Sequence, residues 1–230
     1  MIRLFKHGKG YLQATLPMKR ILKQITPGTW SVERWSPGYV RARIAQSWFR
    51  LRNPDYPWLT KESIGILNRW IRPGHSVVEF GSGGSTLYFA ARCGRLVSYE
   101  HDENWYRKVS SRLNQLGYEH VDAHCFALKD PRYCDHVCSL ADQSIDLVLI
   151  DGRRRAECTW NALPKLKPKG LLVIDNAERY LTRDHNASLA SGAEKQSPTS
   201  SEDIWRMVAG HTASWKRQWT DNGIWTTLIL

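Results

Sequence analysis

Short apolar runs alternate along the chain with segments in which apolar residues recur every three or four positions. Continuous apolar runs are typical of strands buried on both faces of a parallel sheet, and the wider spacing is typical of helices that cover it. The runs predict strands at residues 76–80, 96–100, 120–126, 145–150 and 170–175. The wider spacing predicts helices at residues 60–71, 86–92, 103–116 and 156–163.

The end of the chain has a different pattern. SWKRQWT and GIWTTLIL flank Asp221-Asn222-Gly223, which is a strong signal for an antiparallel hairpin. Right-handed crossovers between the preceding strands would place helices on both faces of the sheet, which is a doubly wound arrangement. The predicted fold is therefore α/β: a doubly wound, mostly parallel seven-stranded sheet with a C-terminal antiparallel hairpin, in three αβα layers.

Composition divides the chain into two predicted regions. Residues 1–56 contain four prolines and few acids, and we predict a basic N-terminal arm or helical lead-in there. Residues 57–230 carry the alternating pattern and form the main predicted domain. Within it, residues 183–203 are rich in Ser, Ala and Gly, so we predict a flexible loop or a lid. The cysteine count of five is odd, which favours free thiols over a disulfide framework.

The net charge of +11 is concentrated near the N-terminus. Residues 1–52 hold eleven Lys and Arg against one acid, whereas the remaining residues hold 22 bases against 21 acids. Such a block favours contact with a membrane surface or a nucleic acid, and a solvated arm is the equal alternative. No transmembrane stretch or secretory signal pattern is present, so we expect a cytoplasmic protein, with peripheral membrane association as an option. Nothing in the sequence predicts the oligomeric state.

The stretch VVEFGSGGST, residues 77–86, places a carboxylate near the end of a buried strand and three glycines in the turn that follows. Glycines let a backbone approach a ligand closely and adopt positive φ. Glu79 lies two residues before the first glycine, which suits a cationic ligand better than a pyrophosphate. The amino and sulfonium groups of S-adenosylmethionine are cationic, so the turn predicts the methionine end of that cofactor. A dinucleotide is disfavoured, because Thr86 replaces the third glycine of the usual fingerprint.

Glu100 lies 21 residues after Glu79 and closes the second predicted strand. An acid at this place can accept hydrogen bonds from both hydroxyls of a ribose. We therefore predict that Glu100 binds the cofactor ribose, and the alternative is a surface charge at the start of the next turn.

Five stretches resemble class I S-adenosylmethionine-dependent methyltransferases, which have a Rossmann-like seven-stranded sheet. They are PWLTKESIGILNRWI, VVEFGSGGSTLYFA, LVSYEHDENWY, IDLVLIDGRRR and GLLVIDNAERY, and the match spans roughly residues 57–230. The resemblance implies that the methionine part of the cofactor is surrounded by Glu79, Gly81, Ser82, Gly83, Ser85 and Thr86. It also implies that Glu100 holds the ribose and that His101 lies beside the adenine.

Asp151 ends the fourth predicted strand, and Asp175 and Asn176 end the fifth. In metal-dependent catechol-type O-methyltransferases these positions bind Mg²⁺, so the resemblance implies a metal site of Asp151, Asp175 and Asn176. Loop capping by short polar side chains is the alternative. The lysine base of those enzymes is replaced here by Arg154, which stays protonated and cannot act as a base. Together with Arg153 and Arg155, Arg154 instead favours contact with an anionic acceptor, and a solvated loop is the alternative.

The predicted activity is methyl transfer from S-adenosylmethionine to an oxygen of a small acceptor. Arg154 favours an acceptor that is anionic. The candidate catalytic residues are Asp151, His185 and Arg154. One alternative is a methyltransferase acting on a polymer or lipid-linked substrate that the basic arm docks. The other is a non-catalytic scaffold that keeps the cofactor site. Several of the eleven tryptophans fall within residues 30–70 and suggest an aromatic surface near the pocket mouth, although core packing explains most of them equally well.

Overall fold

The computed structural model describes residues 37–181, 200–221 and 226–230. The chain divides into two units, Met1–Pro54 and Asp55–Leu230. In the first unit, helix α1 spans Pro37–Arg52. Proline is favoured in the first turn of a helix, where its missing N–H costs no hydrogen bond. Pro37 therefore begins a helix that the hydrophobic pattern had not predicted.

In the second unit, seven strands form one sheet in the order β3-β2-β1-β4-β5-β7-β6. The strands are β1 Ser76–Phe80, β2 Arg95–Glu100, β3 Val121–Cys125, β4 Ile145–Ile150, β5 Leu166–Asp175, β6 Gln218–Asp221 and β7 Thr226–Ile229. The first five strands are mutually parallel, and β7 runs antiparallel to both β5 and β6. The predicted fold class, with its C-terminal antiparallel hairpin, is confirmed.

The helices of the second unit are α2 Lys61–Trp70, α3 Gly84–Ala90, α4 Glu103–Leu116, α5 Arg132–Asp135, α6 Arg155–Ala162 and α7 Ser201–His211. Local sequence sets several of their ends. The Thr60 hydroxyl accepts a hydrogen bond from the backbone N–H of Ser63 at 3.2 Å and caps α2. Gly117, at φ +71°, ends α4 in the left-handed conformation that glycine adopts without strain.

The central strands are buried on both faces, as their continuous apolar runs predicted. Val78 of β1 is paired with Val97 of β2 and Val148 of β4. All three side chains are at most 1% exposed. Because β1, β2, β4 and β5 are parallel, their carboxyl ends meet at one edge of the sheet, and the candidate site lies there.

Several predicted boundaries differ from the structure, most of them by one or two residues. Strand β5 begins at Leu166 rather than at residue 170. Helix α7 begins at Ser201, because the Ser200 hydroxyl caps it by accepting the Asp203 N–H at 3.2 Å. The prediction of a loop over 183–203 is therefore wrong for its last three residues. Residues 182–199, which include His185, lie outside the described part of the chain.

No helix in residues 37–181, 200–221 or 226–230 has both the length and the apolar character needed to cross a membrane.

Candidate functional site

Four carboxylates lie at the carboxyl edge of the sheet. Glu79, Glu100, Asp151 and Asp175 lie at or next to the ends of β1, β2, β4 and β5, respectively. Strand order brings them together, since these strands are consecutive neighbours in the sheet. The structure thus places at one edge the acids that the sequence assigned to cofactor, catalysis and metal.

Two glycine turns pack directly against each other at this edge. Gly81 has φ +99°, and a Cβ atom on it would lie 2.8 Å from the backbone nitrogen of Gly152. A Cβ atom on Gly152 would in turn lie 2.2 Å from the Tyr133 hydroxyl. Neither position has room for a side chain, because backbone faces backbone there. The two turns therefore fix the position of Asp151 relative to the loop that follows β1.

Glu79 is completely buried behind that loop. The Ser98 hydroxyl donates to Glu79 Oε1 at 2.7 Å, while Glu79 Oε2 has no hydrogen-bond partner among the described residues. Burial raises the pKa of Glu79 to about 7, although the hydroxyls of Thr86, Ser98 and Ser85 act in the opposite direction. A buried polar atom without a partner is costly, so Oε2 is suited to a ligand that brings a donor or a positive charge.

Glu100 lies at the end of β2 and is only 4% exposed, and backbone N–H groups fix its carboxylate. The backbone N–H of Ser82 donates to Oε2 at 3.0 Å, and those of His101 and Asp102 donate to Oε1 at 2.7 and 2.8 Å. A carboxylate oxygen has two lone pairs, so Oε2 keeps an acceptor position. His101 Nδ1 lies 2.8 Å from Glu100 Oε1, so the structure places His101 against this carboxylate.

A cavity of about 280 Å³ opens in front of the glycine loop. It is lined by Trp58, Gly81, Ser82, Gly83, Gly84, Ser85, Trp105 and Asp151. The Trp105 indole N–H donates to the Ser82 carbonyl at 2.6 Å and so fixes this ring beside the loop. Trp58 and Trp105 are 47% and 40% exposed, so both rings present apolar surface at the cavity. Glu79 does not line the cavity and reaches the loop through Ser98, whose hydroxyl lies 2.7 Å from that of Ser82.

Arg155 connects the two aspartates of the site. Its Nη2 group donates at 3.0 Å to both the carbonyl and the carboxylate of Asp151, and its Nη1 group donates to the Asp175 carbonyl. Asp175 is 4% exposed, and its Oδ1 accepts the Thr227 hydroxyl at 3.0 Å. Burial raises the pKa of Asp175 well above its ordinary value, and the negative charge of Asp151 raises it further. Both effects favour the neutral form of the Asp175 carboxyl.

This arrangement bears on the predicted metal site of Asp151, Asp175 and Asn176. The Arg155 guanidinium already bonds to the Asp151 carboxylate, where a divalent cation would have to bind. The positive charge of Arg155 beside Asp151 Oδ1 disfavours a divalent cation at this carboxylate, and the metal site of Asp151, Asp175 and Asn176 stays a prediction.

Arg155, and not Arg154, is the arginine of the basic run that contacts the two aspartates, while the predicted contact of Arg154 with an anionic acceptor stays a prediction. Arg154, at φ +46°, points its Nε toward Glu157 Oε1 at 3.4 Å, whereas Arg155 contacts both aspartates. The four-residue spacing from Asp151 to Arg155 was the available signal, since residues four apart meet at the start of a helix. Trp58 and Trp105 carried no comparable motif.

Comparison with known proteins agrees with this geometry. Residues 78–177 match a family model described as a methyltransferase domain. The search of curated proteins gave no match.

Among solved structures, a Corynebacterium glutamicum protein matches 94% of this chain and 95% of its own at 15% identity, with a TM-score of 0.51. That likeness shows the fold. YcgJ from Bacillus subtilis matches at 16% identity over 50% of both chains, with a TM-score of 0.39. A methyltransferase from Thiobacillus denitrificans, in complex with S-adenosylhomocysteine, matches at 18% identity over 57% of this chain and 53% of its own, with a TM-score of 0.39.

The chain thus spans about half the length of the last two of these structures. The family match covers β1 through the residues just after β5, which are the segments that carry the glycine loop and the four carboxylates. Residues 78–177, which carry the glycine loop and the four carboxylates, therefore resemble a methyltransferase domain.

Proposed function

We propose that this domain methylates a hydroxyl oxygen of a small acceptor that enters the cavity between Trp58 and Trp105. The observation that carries the proposal is the position of Asp151, whose carboxylate lines this cavity beside the glycine loop. A carboxylate there can accept or orient the proton of an acceptor hydroxyl.

The residues around the cavity fit the cofactor. When bound, S-adenosylmethionine supplies an activated methyl group on a sulfonium centre. Gly81, Ser82, Gly83 and Ser85 would surround its methionine part, and Glu100 would accept hydrogen bonds from its ribose at Oε2. Glu79 supports this assignment, because its Oε2 has no hydrogen-bond partner among the described residues and its carboxylate adds negative charge close to Ser82 and Ser85.

Asp151 is prepared for a proton-accepting role by its neighbours. Arg155 orients the Asp151 carboxylate through a hydrogen bond of 3.0 Å, and the raised pKa of Asp175 favours a neutral carboxyl beside it. Methyl transfer is an in-line displacement, so most of the acceleration comes from holding acceptor and donor in line. Asp151 would add the removal of one proton, and no metal is required for this step.

The cavity also indicates which acceptors fit. Two indole rings favour a planar, apolar body, because aromatic surfaces stack on one another. Asp151 is the only charged side chain among the described residues that line the cavity, which favours an acceptor that is neutral at the reacting end. A carboxylate or phosphate elsewhere on the acceptor would be met by Arg154, which follows Asp151 by three residues and is 36% exposed.

A screen of phenols, catechols and hydroxy acids with a labelled methyl donor tests the proposal. We expect Asp151→Asn to lower kcat by about 10²–10⁴-fold, as loss of a general base does, with unchanged affinity for S-adenosylhomocysteine. Glu119→Gln, the same kind of change at an exposed position, is the control. We expect chelation by EDTA to leave the rate unchanged. Full activity of Asp151→Asn, or loss of activity on chelation, would contradict this mechanism.

A polymer or lipid-linked acceptor is the second candidate. The observation that favours it is the charge of residues 1–52, which hold eleven bases and one acid. In that case the reacting hydroxyl would enter the same cavity, and the basic residues would hold the anionic remainder of the substrate.

A further inference from the structure

A second and larger cavity lies at the opposite edge of the sheet from the glycine loop. Its volume is about 790 Å³, within the usual range for small-molecule sites. We call it the basal groove, and it is formed by the start of β5, the end of β7 and the segment between α7 and β6. Its apolar lining includes Ile66, Leu163, Leu166, Leu171, Trp215 and Ile229. Nothing in the methyl-transfer site uses these residues.

An irregular segment of β5 forms one wall of the basal groove. Ile145 pairs with Leu166 and Leu147 pairs with Leu171, so four residues of β5 stand opposite one residue of β4. The bulged residues, 167–170, all line the groove. Within the bulge Lys169 has φ +69°, a conformation that costs free energy for a residue with a side chain. Bulges of this kind often direct a side chain toward a ligand.

The charged side chains of the groove have one sign. The charged residues Lys167, Lys169 and Lys216 line it, and none of the described lining residues is acidic. Lys167 is neutralised by Asp146, whose Oδ2 lies 2.8 Å from the Lys167 ammonium. Lys169 and Lys216 are exposed, and no described residue forms an ion pair with either of them. The groove therefore combines apolar surface with the positive charges of Lys169 and Lys216, which an anion could bind.

The positive charge of the groove favours some occupants of its apolar lining over others. The first 36 residues of the chain carry seven bases and one acid, so their charge opposes binding to a basic groove. A cationic or neutral ligand would leave Lys169 and Lys216 without a counter-charge. An anion with an apolar tail satisfies both features at once, because its tail would lie on the aliphatic and indole surface and its head on the lysines.

We propose that the basal groove binds a single amphipathic anion, with an alkyl or acyl tail and a phosphate or carboxylate head. The site is separate from the methyl-transfer cavity, since it lies at the amino end of β5 whereas Asp151 and Asp175 lie at the carboxyl ends of their strands. Binding there would either affect the methyl-transfer site from the opposite edge of the sheet or keep the domain where such anions are present.

Calorimetry on the full chain tests the site directly, with dodecyl phosphate below its micelle concentration as the probe. We expect saturable binding at one site, and at least about tenfold weaker binding of hexyl phosphate, because six methylenes are lost from the apolar lining. Dodecyltrimethylammonium has the same tail with the opposite charge, and inorganic phosphate has the head alone. We expect neither of them to bind measurably.

The double variant Lys169→Glu/Lys216→Glu should weaken dodecyl phosphate binding at least about tenfold. Arg112→Glu/Lys129→Glu makes the same change of charge at exposed positions outside the groove, and it should bind like the wild type. Both variants should bind S-adenosylhomocysteine normally, which shows that they are folded. Equal binding by the two variants, equal binding of the cationic amphiphile, or binding only to lipid vesicles and not to the monomer would overturn the proposal.

Discussion

Glu79 is the residue whose surroundings differ most from those of an ordinary side chain of its type. It is fully buried, its Oε2 has no hydrogen-bond partner in the part of the chain that the structure describes, and burial raises its pKa from 4.5 to about 7. Below pH 4.5 the carboxyl is protonated in both the folded and the unfolded chain. As pH rises from 4.5 to about 7, only the unfolded chain loses this proton, so stability falls by an amount on the order of 3 kcal/mol. The folded protein keeps this carboxylate despite its cost, as binding sites often do.

Replacing Glu79 with Gln should therefore separate stability from binding. Glutamine does not titrate, so we expect the free energy of unfolding of Glu79→Gln to exceed that of the wild type at pH 8 and the difference to shrink toward pH 5. We expect S-adenosylhomocysteine binding to weaken in the same variant. Urea unfolding at several pH values measures the first effect, and Glu103→Gln at an exposed position is the control. A stability difference that does not change with pH would contradict the raised pKa.

Sequence alone predicts some residues of the site better than others. The positions of Glu79 and Glu100 follow from strand ends and a glycine turn, which are local features. The contact of Arg155 with Asp175 joins two strands and could not be read from spacing along the chain. Trp58 lines the cavity, and although the tryptophans of residues 30–70 suggested an aromatic surface there, no motif singled out this residue.

At the scale of elements, Arg155 joins α6 to the ends of β4 and β5. Its guanidinium bonds to the carbonyls of Asp151, Gly152 and Asp175 as well as to the Asp151 carboxylate. Only 11% of its side chain is exposed, so the interaction is largely removed from water. One side chain thus holds the two strand ends and the helix that follows β4 in a fixed arrangement.

Arg155→Met should be destabilising, because Asp151 loses its charged partner and the carbonyls of Asp151, Gly152 and Asp175 lose a donor. The Asp151 side chain is 26% exposed, so water compensates part of the loss, and we expect the free energy of unfolding to fall by about 1–3 kcal/mol. Denaturant unfolding measures this loss. Arg153→Met changes an exposed arginine two residues away and should cost little. Similar stability of the two variants would show that Arg155 does not hold these elements together.

The boundaries of elements were predictable where capping residues mark them and not elsewhere. Thr60, Asp102 and Gly117 mark the ends of α2 and α4, and the structure uses all three. Helix α7 has an equally clear cap at Ser200, but the polar composition of the preceding residues concealed it. The early start of β5 was hidden because the bulge at residues 167–170 interrupts the apolar run.

At the scale of the whole molecule, the fold follows from the order of apolar runs, while the charge follows from one short region. Residues 1–52 account for ten of the eleven net positive charges. Charge of this kind acts through solvent and is screened by salt over about 10 Å at 0.1 M. It governs association with anionic partners rather than the arrangement of the sheet.

We expect the full chain to co-sediment with vesicles that contain anionic lipid at low salt and to be released as salt rises. Neutral vesicles are the control, and they should not retain the protein. Replacing Lys19, Arg20 and Lys23 with Ser should weaken retention, at roughly 1 kcal/mol for each charge removed. Retention that is insensitive to salt, or equal on neutral vesicles, would argue against an electrostatic role for this region. Fluorescence anisotropy with a short nucleic acid distinguishes the other anionic partner.

Calorimetric titration with S-adenosylhomocysteine is the measurement that shows whether the glycine loop and Glu100 form a site for S-adenosylmethionine. We expect one site with micromolar affinity in the wild type, at least about tenfold weaker binding in Glu100→Ala, and unchanged binding in the exposed control Glu119→Ala. NAD should not bind, since the third glycine of its fingerprint is Thr86. No binding of S-adenosylhomocysteine to the wild type, or equal binding to Glu100→Ala, would contradict the account.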